Sequence, residues 1–344
     1  MAENTNENVR VITLTPENSD FYGIDGRFFR MDPEIAATIS EGVHGLANRP
    51  AGGRIRFCTD TVSFFVRAEV SFDREVGFDL YYLDEEQNEE RYAAGLRSDA
   101  FITKGTFQTR TVKLAGKPRT YTLNLPYNAV VKKVEIGIDE GASFGHGARY
   151  CNELPVVFYG SSITGGAWAC RPGNAYIPML SRLWNLNYLN FGFAGKAKGE
   201  PAMAEYLAKI PMCAFVLDYD HNAPNPEFLE ATHRPFYEIV RAANPDIPIL
   251  ILSRPDVLSN PPDAAARAKV VRATYEAALA RGDNVAFIDG HEFFRGDYAH
   301  DCTRDGCHPN DLGFYRMTTV IAPVLARMLG LPVRPYDTWN GVKQ

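Results

Sequence analysis

The chain has 344 residues, 45% of them apolar and 23% charged, enough buried material for two globular domains. Its formal net charge of −6 argues against nucleic acid and anionic membranes as partners, because both call for a basic face. No apolar run approaches the roughly 20 residues that span a bilayer, and six scattered cysteines lack the dense spacing of a disulfide scaffold.

The N-terminal residues 1–8 are polar and acidic, unlike a secretory signal. With reduced thiols, this makes the cytoplasm the expected location. Residues 1–150 are predicted to form an accessory β-domain. Val66, Ala68 and Val70 alternate with Arg67 and Glu69, and Val134, Ile136 and Ile138 alternate with Lys133, Glu135 and Gly137. A period of two buries one face of a strand and wets the other. Turn residues punctuate these runs at 52–53, 73, 85–88 and 116–118. Asp32, Pro33 and Glu34 start one short helix running to about Ser40. The expectation is an antiparallel, jelly-roll-like β-sandwich. A Gly-rich link follows at 141–153.

From about residue 155 the rhythm changes, and residues 151–335 form a second predicted domain. Strand-like apolar runs at 155–159, 188–191, 213–218, 247–252 and 285–289 alternate with helical patterns at 175–184, 201–209, 226–243 and 262–281. A last helix is predicted over 311–328, with Pro323 expected to kink it. Such alternation predicts an α/β fold, a three-layer flavodoxin-like parallel sheet with helices on both faces. Sites on such sheets lie beyond the C-terminal strand ends.

Those ends carry the polar residues. The first delivers Gly160, Ser161 and Ser162, the second Asn190 to Gly195, the third Asp218 to Asn222, and the fourth Ser253, Arg254 and Asp256. The loop after the fifth leads to Asp305 and His308. A serine hydroxyl needs a base to become nucleophilic, and a histidine base needs a carboxylate to orient it. Ser162, His308 and Asp305 supply that set in the chain order Ser, Asp, His. An acyl-transfer intermediate also needs preset donors for its oxyanion. The candidates are the Ser162 N–H, the Gly195 N–H and the Asn222 side-chain amide, with Gly192 competing for the glycine role. Pro309 is expected in the first turn of the final helix.

These residues resemble the SGNH hydrolases, also called GDSL-like esterases. The first block of that family, Gly-Asp-Ser-Ile/Leu, matches Gly160 to Ile163 except at Ser161. The second-block glycine matches Gly195, the third-block asparagine Asn222 within Asp220-His221-Asn222-Ala223, and the final Asp-x-x-His Asp305 and His308. The resemblance implies Ser162 as nucleophile, Asp305 and His308 as its triad partners, and Gly195 and Asn222 in the oxyanion hole. Gly77 to Tyr81 is similar to the Gly-x-Asp-Leu-Tyr signature of a β-domain that precedes some members.

Other readings compete. Ser162 could be a helix N-cap alone. Gly141 to Gly145 fits a Gly-x-Ser-x-Gly elbow, but no helix pattern follows, so Ser143 reads as linker. His291, Asp297, His300, Asp301, Cys302, Asp305, Cys307 and His308 crowd one region, but at no common zinc spacing. Cys302 and Cys307 could pair or stay free. The expectation is a serine esterase that removes small acyl groups, acetyl foremost, from small-molecule or glycan esters, without cofactor or metal. Arg254 and Asp256 are candidate substrate contacts. The alternatives are a carbohydrate-binding protein on a silent scaffold, and a metallohydrolase that chelation would inactivate. The sequence sets no oligomeric state.

Overall fold

The computed structural model describes residues 8–72, 77–97, 104–255 and 262–333. The first half contains β1 (Val9–Thr13), β2 (Asp20–Tyr22), α1 (Pro33–Ile39), α2 (Glu41–Ala47), β3 (Arg54–Thr59), β4 (Ser63–Phe72), β5 (Phe78–Asp84), β6 (Glu89–Leu96), β7 (Lys104–Gln108), β8 (Val112–Lys113), β9 (Arg119–Asn124), β10 (Ala129–Asp139) and β11 (Phe144–His146). One antiparallel sheet runs β1-β10-β4-β7 with β8 also on β4, and the other runs β11-β3-β9-β5-β6 with β2 on β3. The period-two residues meet across the pair β10 and β4, Val134 opposite Ala68 and Ile136 opposite Val66. All four lie in one buried cluster with Phe57, Leu80 and Leu123 of the facing sheet, which makes the half a sandwich.

Asp32 caps α1 by accepting from the Glu34 N–H, with Pro33 in the first turn, as the sequence predicts. The chain then turns at Ser40, which caps α2 through the Val43 N–H, a helix the sequence reading lacks. Met31, Ala36, Val43 and Ala47 pack into the core of the other half. Part of the predicted link at 141–153 is strand, because β11 pairs with the edge of β3. Ser143 sits just before it, donating its N–H to Asp60 and its carbonyl accepting from Thr59, as a linker residue.

The second half continues as β12 (Val156–Gly160), α3 (Ser162–Gly165), α4 (Tyr176–Trp184), β13 (Tyr188–Gly192), α5 (Pro201–Ala208), β14 (Ala214–Asp218), α6 (Pro226–Ala243), β15 (Ile249–Leu252), α7 (Ala264–Ala280), β16 (Val285–Ile288) and α8 (Asp311–Leu329). The strands form one parallel sheet ordered β13-β12-β14-β15-β16. This is the 2-1-3-4-5 order of flavodoxin-like folds. β12 is buried on both faces: Val157 and Tyr159 enter one core, Val156 and Phe158 the other. That explains its unbroken apolar run. Pro309 lies outside α8, contrary to expectation. Asn310 takes the cap by accepting from the Gly313 N–H, and Pro309 bridges to Thr303 instead.

The halves meet through buried polar contacts. Arg54 of β3 donates to the Tyr150 hydroxyl at 2.8 Å, to Asn187 Oδ1 at 2.8 Å and to the Tyr188 carbonyl at 3.1 Å. Arg30 donates to the Gly192 carbonyl at the tip of β13, and its guanidinium stacks on Phe193 at 4.7 Å. Burial, with Arg49 nearby, pulls the Arg30 pKa down to about 9.

Candidate active site

The site begins where β12 ends between two neighbours. Gly160 stands level with Gly192 on β13 and Asp218 on β14. The Ser161 N–H donates to the Asp218 carbonyl at 3.1 Å, and the Phe193 N–H to the Gly160 carbonyl at 2.9 Å. The chain then enters α3. Ser161, fully buried, is the N-cap, accepting from the Ile163 N–H at 3.1 Å. Serine and aspartate are equally good caps, so Ser161 can do locally what an aspartate would do there. Ser162 is therefore the first helical residue and not the cap, which leaves its hydroxyl for other work.

Ser162 Oγ lies 2.9 Å from His308 Nε2, and His308 Nδ1 lies 2.9 Å from Asp305 Oδ2. The carboxylate can only accept, so Nδ1 carries the proton and Nε2 is left to accept from the serine. The Asp-x-x-His spacing works through a tight turn. Asp305 Oδ1 accepts the N–H groups of Cys307 at 3.0 Å and His308 at 2.7 Å, which leaves Oδ2 for the ring. Partial burial pushes the Asp305 carboxyl up. The backbone N–H and ring of His308 and the N–H of Cys307 outweigh this, holding it below the usual carboxylate range.

The loop after β13 turns around one carbonyl. Phe193 O accepts from the N–H groups of Lys196 at 2.8 Å and Ala197 at 3.0 Å, and from Asn222 Nδ2 at 3.0 Å. Asn222 is thereby fixed against the turn that carries Gly195. Gly195 has φ +68° with open space where a Cβ would stand. Its competitor Gly192 donates its N–H to Asn190 Oδ1 at 2.9 Å, its carbonyl accepts from Arg30, and a Cβ there would overlap the Gly165 backbone. Gly192 thus serves close packing of β13 on α3.

Arg254 lines a cavity of about 70 Å³ with Asp220, Ser253 and His291, its N–H on Asp220 Oδ2 at 3.1 Å. Asp256 lies outside the described residues. His291 Nδ1 is 2.8 Å from Asp289, and among the described residues no three His, Cys, Asp or Glu side chains gather as a metal set. Cys302 and Cys307 are not joined in a disulfide. No described helix is long and apolar enough to cross a membrane.

Three features escape sequence reading. Asp218 Oδ2 accepts from Thr164 Oγ1 at 2.9 Å and Tyr176 at 3.4 Å beneath the serine, and burial, with the charge of Asp220 adding, raises its carboxyl well above the usual range. Trp168 sets its ring edge-on to His308 at 6.4 Å between centroids, under the Arg304 guanidinium at 4.0 Å. Asp79 of β5 reaches across from the sandwich to the Gly173 N–H at 2.9 Å. The one linear signal for the last was the Gly77 to Tyr81 match.

This fold, with this rim, is that of the SGNH-type ester-hydrolysing enzymes. A profile of the GDSL-like lipase/acylhydrolase family matches residues 153–326, just over half of the chain, and a profile of the N-terminus of SGNH-hydrolase-type esterases, named GxDLY, matches 17–144. The chain belongs to the GDSL-like lipase/acylhydrolase family. A crystal structure from Bacteroides ovatus described as a GDSL-like lipase is 27% identical, with a TM-score of 0.83 over 95% of this chain and 100% of that one. The salicylyl-acyltransferase SsfX3 of a tetracycline biosynthetic pathway shares the fold at 21% identity, with a TM-score of 0.73 over 95% and 99% of the chains. So does the acetyl xylan esterase Est2A of the rumen bacterium Butyrivibrio proteoclasticus, at 13% identity and a TM-score of 0.58 over 94% and 99%. No curated protein matches the chain significantly.

Proposed function

We propose that this enzyme removes a small acyl group, acetyl foremost, from carbohydrate or other small-molecule esters, with Ser162 as nucleophile. The observation that carries the reading is the unbroken chain Ser162 Oγ, His308 Nε2, His308 Nδ1, Asp305 Oδ2, with both links at 2.9 Å. His308 takes the hydroxyl proton as Ser162 Oγ bonds to the acyl carbon. The carbonyl electrons move onto oxygen, where the N–H groups of Ser162 and Gly195 and the Asn222 amide receive the charge. Collapse expels the alcohol, which leaves with the proton from His308. Water then repeats the sequence on the acyl-enzyme, its proton passing through His308 to Ser162 as the acid departs. Arg254 is assigned to contact with the substrate beyond the acyl group.

The carbohydrate preference draws on the acetyl xylan esterase and on the carbohydrate esterases of family two that share the fold. Ser162→Ala is expected to abolish hydrolysis of p-nitrophenyl acetate and labelling by a fluorophosphonate, with the thermal midpoint near that of the unaltered protein. Undiminished turnover would remove the serine mechanism. Glycan binding by an unaltered protein whose Ser162 resists the probe would favour a silent binding scaffold.

A further inference from the structure

We propose that Trp168 is the wall on which a sugar-ring alcohol stacks as it leaves the enzyme, and that Asp79, in the accessory sandwich, is the positioning residue that fixes this wall. The proposal rests on the esterase reading above. His308 Nε2 must hand its proton to the departing alcohol oxygen, so the alcohol lies beside the imidazole. Among the described residues, Trp168 sets its aromatic ring against that imidazole. One indole face lies under the Arg304 guanidinium at 4.0 Å, and the C–H face of the sugar ring is assigned to the opposite one.

Its placement is unusual. Trp168 has φ +73°, a left-handed conformation that bulky side chains avoid and that persists where surroundings impose it. The imposing contacts lie just downstream. Asp311, in the first turn of α8, accepts the Cys170 N–H and the Asn174 amide, both at 2.8 Å. From the sandwich, Asp79 Oδ2 accepts the Gly173 N–H at 2.9 Å, while Oδ1 is held by Asn124 Nδ2 at 2.9 Å. Arg182 donates to the Gly173 carbonyl with its guanidinium 4.2 Å from the Tyr81 ring, and Arg171 stacks on Tyr92 at 4.4 Å. Asp79 is fully buried, so its bond to Gly173 is shielded from competing water. The accessory domain thus grips the loop that joins the serine helix α3 to α4.

The test compares two acetyl esters that differ in the alcohol alone, peracetylated xylose and ethyl acetate. Trp168→Gly, which suits the left-handed backbone, is expected to lower kcat/KM for the sugar ester about three- to tenfold and to leave ethyl acetate nearly unchanged. Asp79→Ala should lower the same ratio. The double variant should lose little more than either single one, since both act through one wall. Asp79→Asn, whose amide oxygen can still accept from Gly173, should restore the ratio. A ratio unchanged in Trp168→Gly, with Ser162 still labelled by a fluorophosphonate, overturns the proposal. So does an equal loss on both esters in Asp79→Ala. Should Asp79→Ala fail to fold, hydrogen exchange on the unaltered protein decides: protection of residues 170–174 comparable to the strands is expected, and rapid exchange there refutes the clamp. Loss of labelling in the unaltered protein would instead strike the esterase reading itself.

Discussion

Asn222→Ala separates catalysis from folding, because the structure makes its two costs very unequal. The amide Nδ2 donates to the Phe193 carbonyl at 3.0 Å, but that carbonyl also accepts from Lys196 and Ala197. Deleting the amide therefore strands no buried acceptor, and the stability loss should stay near the net worth of one hydrogen bond, about 1 kcal/mol. The backbone of residue 222, whose N–H meets Tyr219 O and whose carbonyl meets Lys198, is untouched. The catalytic cost should be larger. Removing one oxyanion donor typically raises the barrier by about 3 kcal/mol, or a factor of about 10² to 10³ in kcat. Because this charge develops in the transition state, KM should move little. The assay is steady-state hydrolysis of p-nitrophenyl acetate beside a urea unfolding curve. A kcat within about threefold of the unaltered enzyme would refute the oxyanion assignment. A loss matched by a collapse in stability would refute the claim that Phe193 stays satisfied.

Two further predictions concern the same neighbourhood. Gly195→Ala should fold with a penalty of about 1 kcal/mol for its left-handed backbone and yet lose turnover, because the methyl enters the open side of the turn. Gly192→Ala should fail to reach a stable fold, since its methyl would overlap the Gly165 backbone, which cannot yield; equal stability of the two variants would contradict this. Asp218, with its carboxyl raised by burial, takes up a proton on folding. Its contribution to stability should decline as pH rises from the unfolded carboxyl value of about 3.9 towards the higher folded value, by up to about 1.4 kcal/mol per pH unit. Asp218→Asn removes that slope, so its urea midpoint should gain on the unaltered protein between pH 4 and pH 7. A pH-independent difference would show that the folded carboxyl is not raised.

What the sequence by itself determined was local and periodic. The apolar run ending at Gly160 announced a doubly buried strand, and the strand–helix alternation placed Ser162, Asn222 and the Asp305 to His308 turn on one rim. Asp32 and Pro33 announced their helix, because a cap and its helix are neighbours along the chain. What the tertiary structure decided was each choice between equivalent residues. Ser161 and Ser162 are adjacent and alike, and the cap bond to Ile163 separated them. Gly192 and Gly195 differ in what stands opposite, the Gly165 backbone or open space. Residues 33–47 read as part of the sandwich half, with one helix to about Ser40, yet the apolar faces of α1 and α2 pack on the parallel sheet. Trp168 and Asp79 acquire their places from partners 140 and 94 positions away, His308 and Gly173. A linear pattern records which residues can be buried or can cap. Which group they then meet depends on distances that exist once the chain has folded.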